Sequence, residues 1–322
     1  MKRTLFCCLL IAVVAIFSCG KQEPTAPAGS QPEVVVTAGH SGSDGSEPTV
    51  SAIFDAINAG LAGTGYMAAY AEYITSGEGD QMGATLIQKD VGNKQLSHHF
   101  VSGDPRRTWS SAGTSINWIV DLAEGAATNG GGGLTAAQTD AAIGSAMATW
   151  QDVNCSDIPL VDDGSFNFDF GYVQALLGFG GVLGIGADLT HAGFLPGAFF
   201  DAIAPGGSGF ILGVTFTFIF TDGVNPTDID NNGKNDTAFR EIYYNDAFPW
   251  NTNGGNFDVE TVALHEAGHG LSQAHFGNIF IKHGSLSASP RAVMNAIYGG
   301  VLRNLKGNDN GGHCSIWASW PN

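Results

Sequence analysis

The amino-acid sequence predicts an α+β fold, and three stretches carry the prediction. Thr135 and Gln138 make a capping-box pair that opens a helix running to about Val153, with Ala142, Ala146, Trp150 and Val153 on one face. Val214 to Phe220 alternates Thr with Phe, the period of a strand. Asp258 stands as an N-cap before Val259, Val262, Ala263 and Glu266, which recur at helical spacing. Ile116 to Leu122 and Glu241 to Asn245 read as further strands. The order is strand, helix, several strands, helix and a loop-rich tail.

Composition fits this reading. The 322 residues allow one large domain or two small ones. Charged residues make up only 13% and there are 46 glycines, which favours strands, turns and long loops over long surface helices. The net charge of -17 argues against nucleic acid as a partner, because phosphate binding needs clustered Lys and Arg. Residues 166 to 220 are almost uncharged and crowded with Phe, Gly and Leu. Gly and Pro recur too often there for a spanning helix, so buried or edge strands joined by Gly-rich loops are expected.

The N-terminus reads as targeting. Lys2 and Arg3 precede an apolar run from Leu5 to Phe17, so residues 1–18 form an export signal. The run ends Ile16-Phe17-Ser18-Cys19-Gly20, which resembles a bacterial lipobox whose Cys becomes the lipidated N-terminus. A plain secretory signal is the other reading. Both export the protein. The lipobox places it in the bacterial cell envelope, anchored to the outer membrane or cell surface through Cys19. Residues 19–50 have the Gly, Ser, Pro, Thr and Glu content of a flexible tether.

Residues 51–107 are expected to be an N-terminal accessory or propeptide-like region. Ser51 caps a short helix carrying Ile53, Phe54, Ile57 and Leu61, which Gly63-Thr64-Gly65 stops. Strand-like pieces follow at Tyr70 to Ile74 and Ala84 to Gln88, and Asp104-Pro105-Arg106-Arg107 marks a boundary. Residues 108–322 form the main domain. After removal of the signal and lipidation of Cys19, only Cys155 and Cys314 remain. In an oxidising compartment they either pair with each other or stay as two buried thiols.

The chemistry concentrates in His265-Glu266-Ala267-Gly268-His269 and in His275, six residues further on. Residues four apart share a helix face, so His265 and His269 can grip one metal ion. Zn²⁺ accepts imidazole nitrogens at about 2.0–2.1 Å, and a catalytic zinc takes three protein ligands with one position open. His275 is the natural third ligand, provided the helix ends near Gly270 or Ser272. Glu266 can then act as general base toward a water on the metal. The bland alternative is a helix with satisfied surface histidines.

The segment resembles the metzincin family of zinc endopeptidases, and its matrixin-like branch in particular. The family pattern is His-Glu-x-x-His-x-x-Gly-x-x-His followed by a Met-containing turn. Here Ala292-Val293-Met294-Asn295 resembles the Met-turn, Ala148 to Val153 the end of the family's first helix, and Ile242 to Asn245 the strand before the active-site helix. The likeness covers residues 108 to 300. It implies a catalytic domain with a twisted, mostly parallel sheet, and Met294 as an apolar floor beneath the metal. It also implies a bulged edge strand that binds extended substrate, for which Gly186, Ala187, Asp188 and Leu189 are the candidates. His191, which follows, is either hydrogen-bonded or a ligand of a second metal. Tyr298 is either a packing residue or an oxyanion donor. Two departures stand out. Ser272 replaces the family's Gly, and a non-Gly residue at positive φ costs about 1–2 kcal/mol; Gly270 takes over the break, or the turn changes. The interval from His275 to Met294 is long, which implies an inserted loop containing His283. The family's cysteine-switch propeptide is absent.

A second metal signal lies upstream. Asp228, Asp230, Asn232, Gly233, Lys234 (through its carbonyl) and Asp236 match a calcium loop of alternating oxygen ligands. A solvated Asx-rich turn is the alternative. Taken together, the residues predict a monomeric zinc endopeptidase acting on protein or peptide substrates, with Ca²⁺ as a structural candidate. The other readings are a surface-anchored binding protein on an inactive peptidase scaffold and a zinc hydrolase of another substrate class.

Overall fold

A computed structural model describes residues 50–321, apart from 78–94, 110–112, 125–126, 128–132, 256 and 284. The signal, the tether, Cys19 and the expected strand at Ala84 to Gln88 lie outside the described residues.

The described residues begin with α1 (Val50–Gly60), β1 (Tyr66–Thr75) and the short β2 (His98–His99). Next come β3 (Ile116–Asp121), α2 (Ala136–Gln151), β4 (Leu160–Phe166) and α3 (Tyr172–Leu177). Then follow β5 (Leu189–Leu195), α4 (Gly197–Ile203), β6 (Ile211–Phe220), β7 (Asn235–Asn245) and α5 (Val259–Gly270). The hairpin β8 (Asn278–Lys282) and β9 (Ser285–Ser289) precedes the last helix, α6 (Gly307–Trp317). The capping box at Thr135 and Gln138 forms as the sequence predicts, with both reciprocal hydrogen bonds present.

Seven strands make one sheet in the order β1-β6-β7-β5-β3-β4, with β2 beside β7. The β3–β4, β3–β5, β5–β7 and β2–β7 pairs are parallel; β6 runs antiparallel to both β7 and β1. The fold is therefore mixed α/β with a mostly parallel central sheet. Helices α2 and α5 contribute to the core on one face, with Trp150, Val262 and Ala263 against Ile242 and Tyr244. On the other face α1, α3 and α4 join an aromatic-rich core with Phe216, Phe218, Phe239 and Tyr243.

Four expectations need correction. Residues 51–107 are not set apart from the rest. β1 pairs with β6 along most of its length, from Tyr66↔Phe220 to Thr75↔Ile211. Arg107, at the expected boundary, forms a fully buried bidentate ion pair with Asp188 at 2.9 and 2.7 Å. Strand pairing across some 140 residues leaves no local pattern to read. Second, Gly186 to Leu189 is no edge strand. Leu189 opens β5, which lies between β3 and β7 and is buried at every position, while Asp188 also accepts from Trp109 Nε1 and Asn117 N. Central parallel strands are covered on both faces, which is why even Thr190 and His191 are buried here. Third, residues 166 to 220 contain α3 and α4 as well as strands; six and seven residues are too few to show a helical period. Fourth, the tail includes α6. Its Gly and Asn content opposes a helix, and tertiary contacts hold it: the Cys155–Cys314 disulfide, with Cα atoms 5.7 Å apart, and Trp317 Nε1 donating to Leu271 O at 2.9 Å. Among the described residues no helix is long and apolar enough to cross a membrane.

Candidate metal centre

The site is built on α5. Asp258 caps the helix by accepting from Thr261 N at 3.0 Å, and Arg303 pairs with the Asp258 carboxylate. The helix keeps its register through His265, Glu266 and His269, then closes with Leu271 N donating to Ala267 O. The chain reverses at Ser272, whose φ is +66°. Gly270 stays helical. The turn returns His275 to the same point in space as His265 and His269.

There the three Nε2 atoms converge. His269 Nε2 lies 3.0 Å from His265 Nε2 and 3.1 Å from His275 Nε2, and the His265–His275 distance is 3.2 Å. Tetrahedral coordination at zinc–nitrogen distances of 2.0–2.1 Å requires about 3.3–3.4 Å between donors, so the spacing fits. The chemistry of the donors fits as well. His265 Nδ1 is 2.7 Å from Val293 O and His269 Nδ1 is 2.8 Å from Gln273 O. Carbonyls only accept, so each Nδ1 carries the proton and each Nε2 presents a lone pair. Two lone pairs facing each other at 3.0 Å repel unless a cation lies between them. Burial holds His265 well below the usual histidine range, which keeps it in the neutral, ligating form.

No protein-family model matches this chain, and no curated protein matches it. The site must be read from its own geometry.

Glu266 is fully buried beside the three imidazoles. Thr215 Oγ1 donates to its Oε2 at 2.6 Å and Ile74 N to its Oε1 at 3.3 Å. Gly213 makes this approach feasible: a Cβ there would stand 3.0 Å from Glu266 Cγ. Burial raises the carboxyl to about 7, against the lowering effects of His269, Thr215 and Ile74 N–H. A bound cation would pull this value down.

Met294 is almost wholly buried and packs against α5 at Gly268, where any Cβ would collide with its sulfur at 2.3 Å. The turn around Met294 is pinned by a residue that sequence reasoning missed. Asp309, on α6, accepts from Val293 N at 3.0 Å and Met294 N at 3.1 Å. Asn295 tightens the same turn through Ala292 N and Phe276 O. Ser272 explains its own tolerance for positive φ. Its hydroxyl accepts from Arg240 Nη1 at 3.0 Å and bonds His99 Nδ1 at 3.1 Å, contacts that a glycine cannot make. Glu72, on β1, carries no local sequence signal either. Its Oε2 lies 2.7 Å from His269 Nδ1, beside the Gln273 hydrogen bond and without hydrogen-bond geometry of its own. Burial lowers the His269 pKa, but the Glu72 charge opposes it and the net shift is upward.

Other predicted residues lie apart from the three histidines. His191 is buried, bonds Tyr244 Oη through Nδ1 at 2.8 Å and joins no metal-ligand group among the described residues. The Tyr298 hydroxyl accepts from Asp258 N at 3.1 Å at the N-terminus of α5. The long interval before Met294 contains the β8–β9 hairpin, with His283 exposed at its turn.

In the acidic loop, Asp228, Asp230 and Asp236 bring carboxylate oxygens within 4.8 Å of one another. Gly233 takes φ +81° at the sharp bend. Backbone N–H groups of Asn232 and Gly233 donate to Asp228, and Lys234 N donates to Asn232 Oδ1. Asp236 is already engaged by Arg106 at 2.6 Å and by Thr227.

Proposed function

We propose that this protein is a zinc-dependent endopeptidase. The observation that carries the reading is the convergence of three buried or half-buried imidazole Nε2 atoms beside a buried carboxylate, on a helix and turn that resemble the metzincin pattern with Ser272 in place of its Gly. His265, His269 and His275 would hold the ion. Zinc there would supply Lewis acidity, which polarises a peptide carbonyl and acidifies water. Glu266 takes the proton of the attacking water and returns it to the leaving amine. Thr215 and Ile74 N–H hold its carboxylate in place. Val293 O and Gln273 O fix the two helix histidines in the ligating tautomer. Asp309 holds the Met294 turn against α5.

The test is cleavage of an unfolded protein by wild type and Glu266→Ala, with zinc content measured in both. Loss of the base should reduce the rate by about 10²- to 10⁴-fold and leave zinc bound. If both forms bind zinc and neither cuts, the peptidase reading fails and a binding role on an inactive scaffold replaces it.

The acidic loop is proposed as a calcium site that braces β7 ahead of α5. Calcium should raise the melting temperature of wild type and leave Asp228→Asn unaffected. Equal melting with calcium and with a chelator would reject the site.

A further inference from the structure

The expected accessory region reaches the metal centre. Glu72 lies opposite Thr215 in the β1–β6 register, and the two side chains project toward α5 together. Thr215 engages Glu266, and Glu72 meets the neighbouring ligand, His269. The Glu72 side chain is only 4% exposed, and Oε2 has no hydrogen-bond donor of its own. Its close polar neighbour is His269 Nδ1, on the side of the ring away from the converging Nε2 atoms. A buried carboxylate needs a compensating charge. The charged or polar groups near it are His269, Glu266, Arg240 and Tyr70. An ion held by three neutral imidazoles brings two positive charges into the same volume.

We propose that Glu72 is a positioning residue of the metal centre. Its negative charge, set behind His269 beside the Gln273 hydrogen bond, holds the ring in place electrostatically and makes that imidazole a better donor to a cation. The proposal rests on reading the three histidines as metal ligands. It gives the N-terminal strand a functional part in the site: discarding residues 51–107 would remove Glu72 together with the Ile74 N–H that holds Glu266.

The test uses full-length protein and zinc alone. Zinc affinity is measured by competition with a chromophoric chelator, and melting of the metal-free protein by calorimetry. Glu72→Gln keeps the shape and removes the charge. It should weaken zinc binding by about 10- to 100-fold without lowering the melting temperature of the metal-free form. Glu72→Asp, which keeps the charge but withdraws it by one methylene, should fall between Gln and wild type. A purely structural role would lower the metal-free melting temperature in step with affinity. That result, or wild-type affinity in Glu72→Gln, overturns the proposal. If wild type takes up no zinc, this inference and the proposed function fall together. If wild type binds zinc and cuts nothing, the peptidase reading falls alone and the affinities still decide the role of Glu72.

Discussion

The two faces of β6 differ as much as any two regions of this molecule. Toward α5 the strand presents Gly213, Thr215 and Thr217, which meet Glu266 and Arg240. On its other face it presents Val214, Phe216 and Phe218 to an aromatic core, with Phe218 stacked on Phe239 at 4.3 Å between centroids. Glu241 is a charged group on that side, and Tyr172 N, Val173 N and Tyr243 Oη all bond its carboxylate. One strand thus separates two kinds of interior. The aromatic side is held by area buried and close packing. The metal side has an apolar core of its own around Trp150, Ile242 and Tyr244, but it also holds hydrogen-bonded groups that are costly to bury, and it is stapled by Cys155–Cys314. Apolar burial on both sides stabilises the fold, and function is expected to reside in the second.

Phe218→Ala is the strongest way to break this contrast. Removing a fully buried ring should cost about 3–5 kcal/mol in denaturant unfolding. Zinc affinity of the folded protein should stay at the wild-type value, because the ring faces away from α5. A parallel fall in affinity would show that the two sides are coupled.

Acid should sharpen it. His191 and His313 are buried neutral on the metal side, and burial lowers them to about 3 and about 4. The unfolded chain takes up these protons near pH 6.5, and the folded protein refuses them until lower pH. Their contribution is therefore intact above about pH 6.5 and is lost as pH falls toward 4, at about 1.4 kcal/mol per pH unit for each group. His313→Phe, which can keep the stacking on Trp150, should flatten this slope in metal-free protein. An unchanged slope would mean that His313 is already protonated in the fold.

Ser272 gives the smallest effect. Ser272→Gly relieves about 1–2 kcal/mol of backbone strain and forfeits hydroxyl bonds of similar worth, so its stability should stay near wild type. Ser272→Ala keeps the strain and loses the bonds, and should cost about 1–3 kcal/mol. A more stable Ala variant would rule out the hydroxyl as the compensation.

These contrasts follow a line between local and distant information. Pieces whose signals are short in range were legible before any fold was known. They are the capped helix from Thr135, the alternation in β6, the Asp258 cap, and the spacing that puts His265 and His269 on one helix face and brings His275 back after a turn. Each depends on backbone periodicity or on a side chain bonding a backbone group within a few residues. What meets across the chain depended on the fold. It placed β1 beside β6 and so carried Glu72 to His269. It put β5 inside the sheet, where Asp188 receives Arg107. It formed α6 against the propensity of its own residues and set Asp309 under the Met294 turn. It also gave Ser272 the partners that make a strained backbone tolerable. Such contacts arise from packing and charge compensation between segments far apart in sequence, and no periodicity in either segment announces its partner.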